Sequence, residues 1–522
     1  MSAPSPALAA LLSFVFPGLG QVYAGAVRRG LLWSIPMALF VLGLIWVLFG
    51  GMNTLIGLVL NTSTRNALLV LNVAFFFYHL AAMFDAYAVA RAERLVVGAR
   101  PGRAAPVALA GLVALTLLFH GAPQAVGLWG GAAIEDMFRG DPGGALPNTT
   151  PRPIDEPSPG SSPSPSINPS PTPVASPTGP RPTSSPGTTP TAGSPAPNTR
   201  PCPQIDTNWA MARDGRVNLL LVGSDSRSDE GDLGGASLRT DTMILLSVDV
   251  ATCKSAMFGF PRNMTNAPLP GESAGAYPNG RFPDLLNALW RRAAEQPAAF
   301  PGSEGISGQD CARQYDCARG WRALTGAIQE MSGVQIDGII AVNLHGFIAL
   351  VDSVGGVWLD IPQRVRDPRY RKSDGSVINL DIPRGCAFFD GEMALAYARS
   401  RRQDSDYQRM RRQQYVIAQV RRQLDPLAML PRAPELLSAA RQNLFTTLDD
   451  NDLGPLAQLA SGVDSDRMHQ VRFVRQRANT AADLRQMRST VNSIFEQPEP
   501  TPTPRPSNRP AECPAPGQTP RP

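Results

Sequence analysis

Apolar and polar positions change their pattern three times along the chain. Apolar runs occupy residues 6–25, 31–50, 66–90 and 105–127. A bilayer core needs about 20 apolar residues of helix to cross it, so residues 1–128 are predicted to be a membrane module with three or four transmembrane helices. The second run, Leu31 to Phe49, is the clearest. The first is interrupted by Phe16-Pro-Gly-Leu-Gly-Gln21, which leaves it to span, re-enter or lie at the interface. Residues 129–211 are dominated by Pro, Ser and Thr, a composition that buries no core and favours extended chain. Residues 496–522 have the same character.

Between these low-complexity stretches, residues 212–495 read as a globular region. Strands are predicted at Val217–Val222, Thr242–Asp249, Ser255–Phe260 and Gly338–Asn343. Helices are predicted at Leu285–Ala294, Gly320–Met331, Phe347–Ser353 and 408–424, with a short apolar element at Glu392–Tyr397. Strands alternating with helices imply an α/β fold, layered α/β/α around a central mixed sheet.

Charge orients the membrane module. Arg28 and Arg29 lie between the first two runs, and Arg91, Arg94, Arg100 and Arg103 between the last two, whereas the intervening loop carries only Arg65. The positive-inside rule places both arginine-rich loops in the cytoplasm. The chain is then expected in the cell membrane, multi-pass, with its C-terminal domain extracytoplasmic. The 141–201 linker, at roughly 3 Å per residue, would reach on the order of 190 Å fully extended and hold that domain away from the bilayer. No basic n-region or A-x-A site marks a cleaved signal peptide. His79 and Asp85 are ionisable groups in the third run; Asp85, near its end, is expected to reach the interface.

Net charge is +5, and only Lys254 and Lys372 are lysines among the 48 basic residues. That excess is too small to indicate nucleic acid. Four scattered histidines give little support to a Ser-His-Asp triad or a histidine metal site. None of the six cysteines forms a C-x-x-C pair, which disfavours zinc. Cys311 and Cys317 are the best local disulfide pair; Cys202, Cys253, Cys386 and Cys513 leave three pairings open.

Candidate chemistry collects at strand ends, where open α/β sheets bind ligands. Asp225 follows the first strand, Arg239-Thr-Asp241 leads into the second, and Pro261-Arg262-Asn263 ends the third. The densest cluster runs from Arg399 to Gln413, with six arginines, Asp404 and Asp406. Guanidinium forks match phosphate oxygens. Two carboxylates can hold Mg²⁺ together with substrate phosphate oxygens. On spacing alone, a solvated helix face, the usual fate of a charge run, accounts for the cluster better.

The in-order set Asn218-Leu-Leu-Leu-Val-Gly-Ser-Asp225, Arg239-Thr-Asp-Thr-Met243, Phe260-Pro-Arg262, Asn287, Val354-Gly-Gly-Val357, Asp390-Gly-Glu-Met-Ala-Leu-Ala-Tyr-Ala-Arg-Ser-Arg401 and Asp406-Tyr-Gln-Arg409-Met-Arg-Arg412-Gln413-Gln414 resembles the LytR-CpsA-Psr family. The resemblance implies a phosphotransferase that moves a glycopolymer from a polyprenyl-pyrophosphate carrier to peptidoglycan as a phosphodiester. It implies that Asp225 and Asp241 hold Mg²⁺. It implies that Arg239, Arg262, Arg399 and Arg401 bind the pyrophosphate, supported by Arg409, Arg412 and Gln413. The expected catalytic set is Asp225, Asp241, Arg399, Arg401 and Asp406, with Asp406 or Asp404 orienting the attacking sugar hydroxyl. Two departures stand out: the family usually has Pro-Arg-Asp where this chain has Asn263, and a single anchor where this chain has several apolar runs. A lipid-pyrophosphate hydrolase and a non-catalytic wall-polymer-binding domain are the alternatives.

Overall fold

The computed structural model describes residues 3–49, 61–98, 104–138, 152, 202–205, 209–225, 239–302, 318–403, 405–423, 440, 443–473 and 480–500. Asp404, Cys311, Cys317 and Cys513 lie outside them.

Three of the described helices, α3 (Val27–Phe49), α4 (Thr62–Val96) and α5 (Ala104–Met137), are long and apolar enough to cross a membrane. The first apolar run instead makes α1 (Pro6–Val15) and the short α2 (Leu19–Tyr23). Ten residues rise only about 15 Å as a helix, half a hydrocarbon core, so α1 does not span. The break follows from Pro17-Gly18: Gly18 has φ +106°, and a Cβ there would sit 2.3 Å from Gly30 O. Ala9, Ala86 and Ala90 are fully buried where α1 lies on α4, small residues that let the two helices approach closely. Asp85 accepts from Gln21 Nε2 (3.0 Å), Arg29 Nε (3.0 Å) and Trp33 Nε1 (2.9 Å), binding α2 and α3 to α4. Helix α5 runs to Met137, past the predicted end of the module at residue 128.

The globular region is built on a six-stranded sheet in the order β11-β6-β1-β2-β3-β12. These strands are β1 (Arg216–Ser224), β2 (Thr240–Asp249), β3 (Ser255–Gly259), β6 (Gly338–Val342), β11 (Leu444–Thr446) and β12 (His469–Arg472). Pairing is mixed: β1–β2, β2–β3 and β11–β6 are antiparallel, β1–β6 and β12–β3 parallel. Alternation along β1 sends Leu220 and Val222 to one face and Val217 and Leu219 to the other. The first face packs against α6 (Leu289–Glu295), α7 (Ala318–Ser332) and α12 (Ala481–Ser493) through Trp290, Trp321, Ile328 and Val491. The second faces α10 (Asp406–Gln423) and α11 (Leu453–Gly462). This is the layered α/β/α arrangement expected.

Three two-stranded ribbons complete the region: β4 (Thr265–Pro268) with β5 (Arg281–Leu285), β7 (Val357–Ile361) with β10 (Gly385–Phe389), and β8 (Val365–Arg371) with β9 (Val377–Ile382). The last two, with α8 (Leu344–Ser353) and α9 (Gly391–Arg399), form a second small core around Val357, Leu380 and Tyr397.

Of the pairings open to the cysteines, the fold contains Cys202–Cys253, and Cys386 is also disulfide-bonded. The first bridge ties the end of the linker to the β2–β3 turn across 51 residues. It stabilises by about 4 kcal/mol in the chain-entropy account, and suits an oxidising compartment.

Asp337 precedes β6, where its Oδ2 accepts from Asn218 N–H at 2.7 Å. Burial, resisted by that N–H and reinforced by Asp214 and Asp452, pushes its carboxyl from 3.8 up to about 7. A folded value above the unfolded one means that the protonated group favours folding at low pH. That contribution is lost as pH rises from about 4 through about 7. Asp337→Asn is therefore expected to raise the melting midpoint of the full chain at pH 8, with the difference closing by about pH 4; differential scanning fluorimetry across pH checks this.

Candidate active site

The site forms where β1, β2 and β3 end beneath the N-terminus of α10. The β1–β2 ladder slips by one residue after Gly223, so that Ser224 stands opposite Thr240. Asp225 then closes the strand end on Arg239. Its N–H donates to Arg239 O (3.1 Å), and its Oδ1 accepts from Arg239 N (3.0 Å). Helix α10 lies close to β3 because Gly259 has no side chain; a Cβ there would be 2.9 Å from Met410 Cε and 3.2 Å from Gln414 Nε2. Gln414 donates to Met257 O (3.2 Å) and Val471 O (3.0 Å), and Gln413 to Thr242 Oγ1 (2.8 Å), which sets the helix's rotation over the strand ends.

That placement brings four charged side chains together. Arg262 Nη1 donates to both oxygens of Asp241 at 2.7 Å, and Arg262 Nε lies 3.6 Å from Asp406. Arg409 reaches Asp406 at 2.9 Å and Asp241 at 3.7 Å, with its side chain only 3% exposed. Asn287 Nδ2 adds a 3.0 Å bond to Asp241, while its own N–H holds Arg262 O at 3.0 Å. Buried charges persist only when paired and hydrogen-bonded, and two arginines alternating with two carboxylates meet that condition.

Around this knot the other expected residues divide. Arg399, half-buried at the end of α9, places its charge near the Asp225 carboxylate and the Tyr370 hydroxyl. Helix α9 presents it there because Asp390 caps the start, accepting from Met393 N at 2.8 Å. Arg239 and Arg401 are exposed at the rim. Arg412 is buried and spends two donors on α9: Nε on Tyr397 O (2.7 Å) and Nη2 on Ser400 O. It satisfies carbonyls left over at a helix C-terminus and so steadies Arg399. Arg402 pairs with Asp367 at 3.5 Å, and Arg411 is exposed on the helix.

Two features mark this as a ligand site. Arg399 Nη1 and Arg409 Nε are buried and donate no hydrogen bond to any described residue. Buried guanidinium donors without acceptors are costly, and an anion would satisfy them. Electrostatics separates the two strand-end aspartates. Burial pushes the Asp225 carboxyl above the usual carboxylate range, and the charge of Asp241 adds to this, against the Arg239 N–H and the Arg399 charge. For Asp241, burial also opposes ionisation, but the bonds and charge of Arg262, with Arg409 and Asn287, hold it below that range.

A hard divalent cation fits this set only in part. No group of three His, Cys, Asp or Glu forms a protein cage among the described residues. Asp225 suits a cation, because positive charge beside it would relieve the repulsion from Asp241. Both oxygens of Asp241 already accept from Arg262, so a metal shared with Asp241 would compete with that bond. Such an ion needs oxygens from water or a phosphate to complete its shell.

On the second sheet face lies an apolar cavity of about 380 Å³, between Leu219, Leu246, Met257 and Ile340 of the sheet and Leu456 and Leu459 of α11. Ile417 and Ala418 of α10 line it too. One helix thus carries Asp406 and Arg409 at its start and a cavity wall two turns later, about 12 Å along its axis.

A mixed sheet with a carboxylate–arginine knot at its strand ends and an apolar cavity on one face defines the layered α/β class to which this domain belongs. Residues 191–497 match the LytR_cpsA_psr family model, and the chain belongs to that family. It is 30% identical over 255 residues to polyisoprenyl-teichoic acid–peptidoglycan teichoic acid transferase TagU of Oceanobacillus iheyensis, covering 48% of this chain and 65% of the relative. It is 30% identical over 202 residues to the probable cell wall biosynthesis protein LcpB of Corynebacterium glutamicum, covering 37% of each. The chain therefore spans less than two thirds of the length of these curated relatives. The crystal structure of Bacillus subtilis TagV aligns with 54% of this chain and 98% of its own at 20% identity and a TM-score of 0.37.

Sequence reasoning assigned no role to Asn287, Thr242 or Tyr370. Asn287 lies within a matched motif, but only the fold shows it bracing both members of the Asp241–Arg262 pair. Asp241→Ala is expected to destabilise the full chain by about 1–3 kcal/mol, because it takes from Arg262 and the buried Arg409 one of their two carboxylate partners. Asp225→Asn should instead raise the melting midpoint at pH 8, since it removes a carboxylate whose ionisation burial disfavours. Thermal and urea unfolding of the two variants checks both signs.

Proposed function

We propose that this protein is a membrane-anchored phosphotransferase that moves a glycopolymer from a polyprenyl-pyrophosphate carrier to peptidoglycan. The observation that carries the reading is that α10 holds the buried, acceptor-less Arg409 Nε at its start, facing Arg399 of α9, and an apolar cavity wall two turns later. A pyrophosphate with a long hydrocarbon tail has both complementary halves. The names of the relatives, which refer to polyisoprenyl-linked teichoic acid and peptidoglycan, agree with it.

In this reading the acceptor sugar hydroxyl attacks the phosphorus that bears the glycopolymer. The bridging P–O bond breaks, a phosphodiester forms and polyprenyl phosphate leaves. Arg399 and Arg409 neutralise the pyrophosphate, and exposed Arg239 and Arg401 guide it in. Arg262 holds Asp241 and Asp406 in place. Asp406, at the start of α10 and paired with Arg409 at 2.9 Å and Arg262 at 3.6 Å, is the carboxylate placed to orient the hydroxyl and take its proton. Asp225 and Asp241 would hold Mg²⁺, which would supply positive charge to the phosphate oxygens. Such chemistry rests on alignment and charge neutralisation rather than a covalent enzyme intermediate.

The membrane reading follows from three helices and their flanking arginines. With α1 and α2 on the cytoplasmic side, three crossings put the end of α5 and the domain outside. Peptidoglycan and the lipid-linked polymer would meet the site there.

Incubation of the full chain in membranes with a pyrophosphate-lipid-linked saccharide, peptidoglycan and Mg²⁺ is expected to yield phosphodiester-linked polymer. Arg399→Ala should lower turnover on the order of 10²–10³-fold, and a chelator should abolish it. Free phosphate ends in place of the phosphodiester would mean hydrolysis, and tight binding without turnover would mean a polymer-binding domain.

A further inference from the structure

The sequence suggests a long stalk that keeps the domain off the bilayer, but contacts of three residues from the membrane module and linker point the other way. Phe138, the residue after α5, packs against the cluster that holds Val217, Leu219, Leu448 and Leu459, and lines the apolar cavity. Thr62, the first residue of α4, donates from Oγ1 to Asp450, directly before α11. The two helix ends are clasped to each other by Arg65 and Glu135 at 2.7 Å, with the Arg65 side chain 7% exposed. Both membrane helices therefore meet the same rim of the domain, which is the rim that encloses the cavity.

Arg152 supplies an independent constraint. It lies in the linker, 14 residues after Phe138. Its Nε donates to Glu330 Oε1 (3.0 Å), its N–H to Glu330 Oε2 (3.2 Å) and its Nη2 to Leu269 O (2.6 Å). Arg488 completes the clamp, donating to Arg152 O (2.6 Å) and Glu330 Oε2 (3.1 Å), around a Glu330 side chain that is 3% exposed. A chain of 14 residues reaches at most about 50 Å. Once Arg152 is docked, the domain cannot leave the outer end of α5 by more than that, whatever the remaining linker allows.

We infer that the membrane module docks against its own domain and seats the cavity mouth on the outer face of the bilayer, with Phe138 as the apolar link between them. A polyprenyl tail then passes from bilayer to cavity without crossing water, displacing Phe138 as it enters. The lipid part of this inference rests on the proposed transferase reading, whereas the docking does not.

The test is Phe138→p-benzoylphenylalanine in the full chain, reconstituted in phosphatidylethanolamine–phosphatidylglycerol vesicles and photolysed. Crosslinks are expected within residues 444–463; crosslinks confined to lipid or to other segments overturn the docking. Adding Arg152→Glu frees the linker as far as Cys202 and lengthens the tether from 14 to 64 residues. Effective concentration falls with about the −3/2 power of tether length, so the yield should drop roughly tenfold; an unchanged yield overturns the clamp. Polyprenyl pyrophosphate should compete with the crosslink. A crosslink to 444–463 that the lipid does not diminish upholds the docking and contradicts the lipid reading of the cavity.

Discussion

Asp241, Arg262, Asp406 and Arg409 come from three separate parts of the chain and meet half-buried around the buried Arg409, each ion stabilised by opposite charges. Removing one would leave two of the others with a single partner and one net charge unbalanced, which costs about 1–3 kcal/mol. The start of β2, the turn after β3 and the start of α10 must therefore keep their relative positions. Gly259 permits the close approach, and Gln413 and Gln414 fix the rotation of α10 over it. The arginine donors left over, on Arg399 and Arg409, are consequently pre-set for an anion rather than free to reorganise. Such preorganisation is what charge stabilisation in a transition state requires.

The same helix passes this order on to the apolar side. Val416 and Val420 pack into the small second core, while Ile417 and Ala418 face the cavity. The charged end and the cavity wall cannot move independently, because α10 is continuous from Asp406 to Gln423. The cavity mouth in turn lies against the ends of α4 and α5. Under the docking inferred above, membrane, cavity and charge cluster would form one continuous path, with the multi-helix module serving as more than an anchor.

Much of this was legible in the sequence. The short apolar runs at Val217–Val222 and Thr242–Asp249, and the alternation of strands with helices along 212–495, marked the layers, since both arise from local sequence. Asp225, Asp241, Arg262 and Arg409 stood out because strand ends collect ligand chemistry and the family motifs coincide there. Other features depended on tertiary contacts that spacing does not encode. Arg412 lies one turn from Arg409 on α10, yet caps α9 because the carbonyls of Tyr397 and Ser400 come within reach only in the folded state. Asn287 braces an ion pair whose members precede it by 46 and 25 residues. Helix α1 read as a possible span because its run is apolar, but Pro17-Gly18 cuts it to ten residues. Arg152, a single charge in a Pro-rich stretch, gave no local sign of its Glu330 partner 178 residues later.

The central claim is that one helix joins a pyrophosphate grip to a hydrocarbon cavity. It is tested most directly by the affinity of the full chain, in detergent, for prenyl pyrophosphates of increasing length. The account predicts affinity that rises with chain length until the cavity is filled, and an Ala418→Trp variant that keeps its affinity for the shortest ligand but loses the dependence on length. Affinity independent of length in the wild type, or a length dependence untouched by Ala418→Trp, would contradict it.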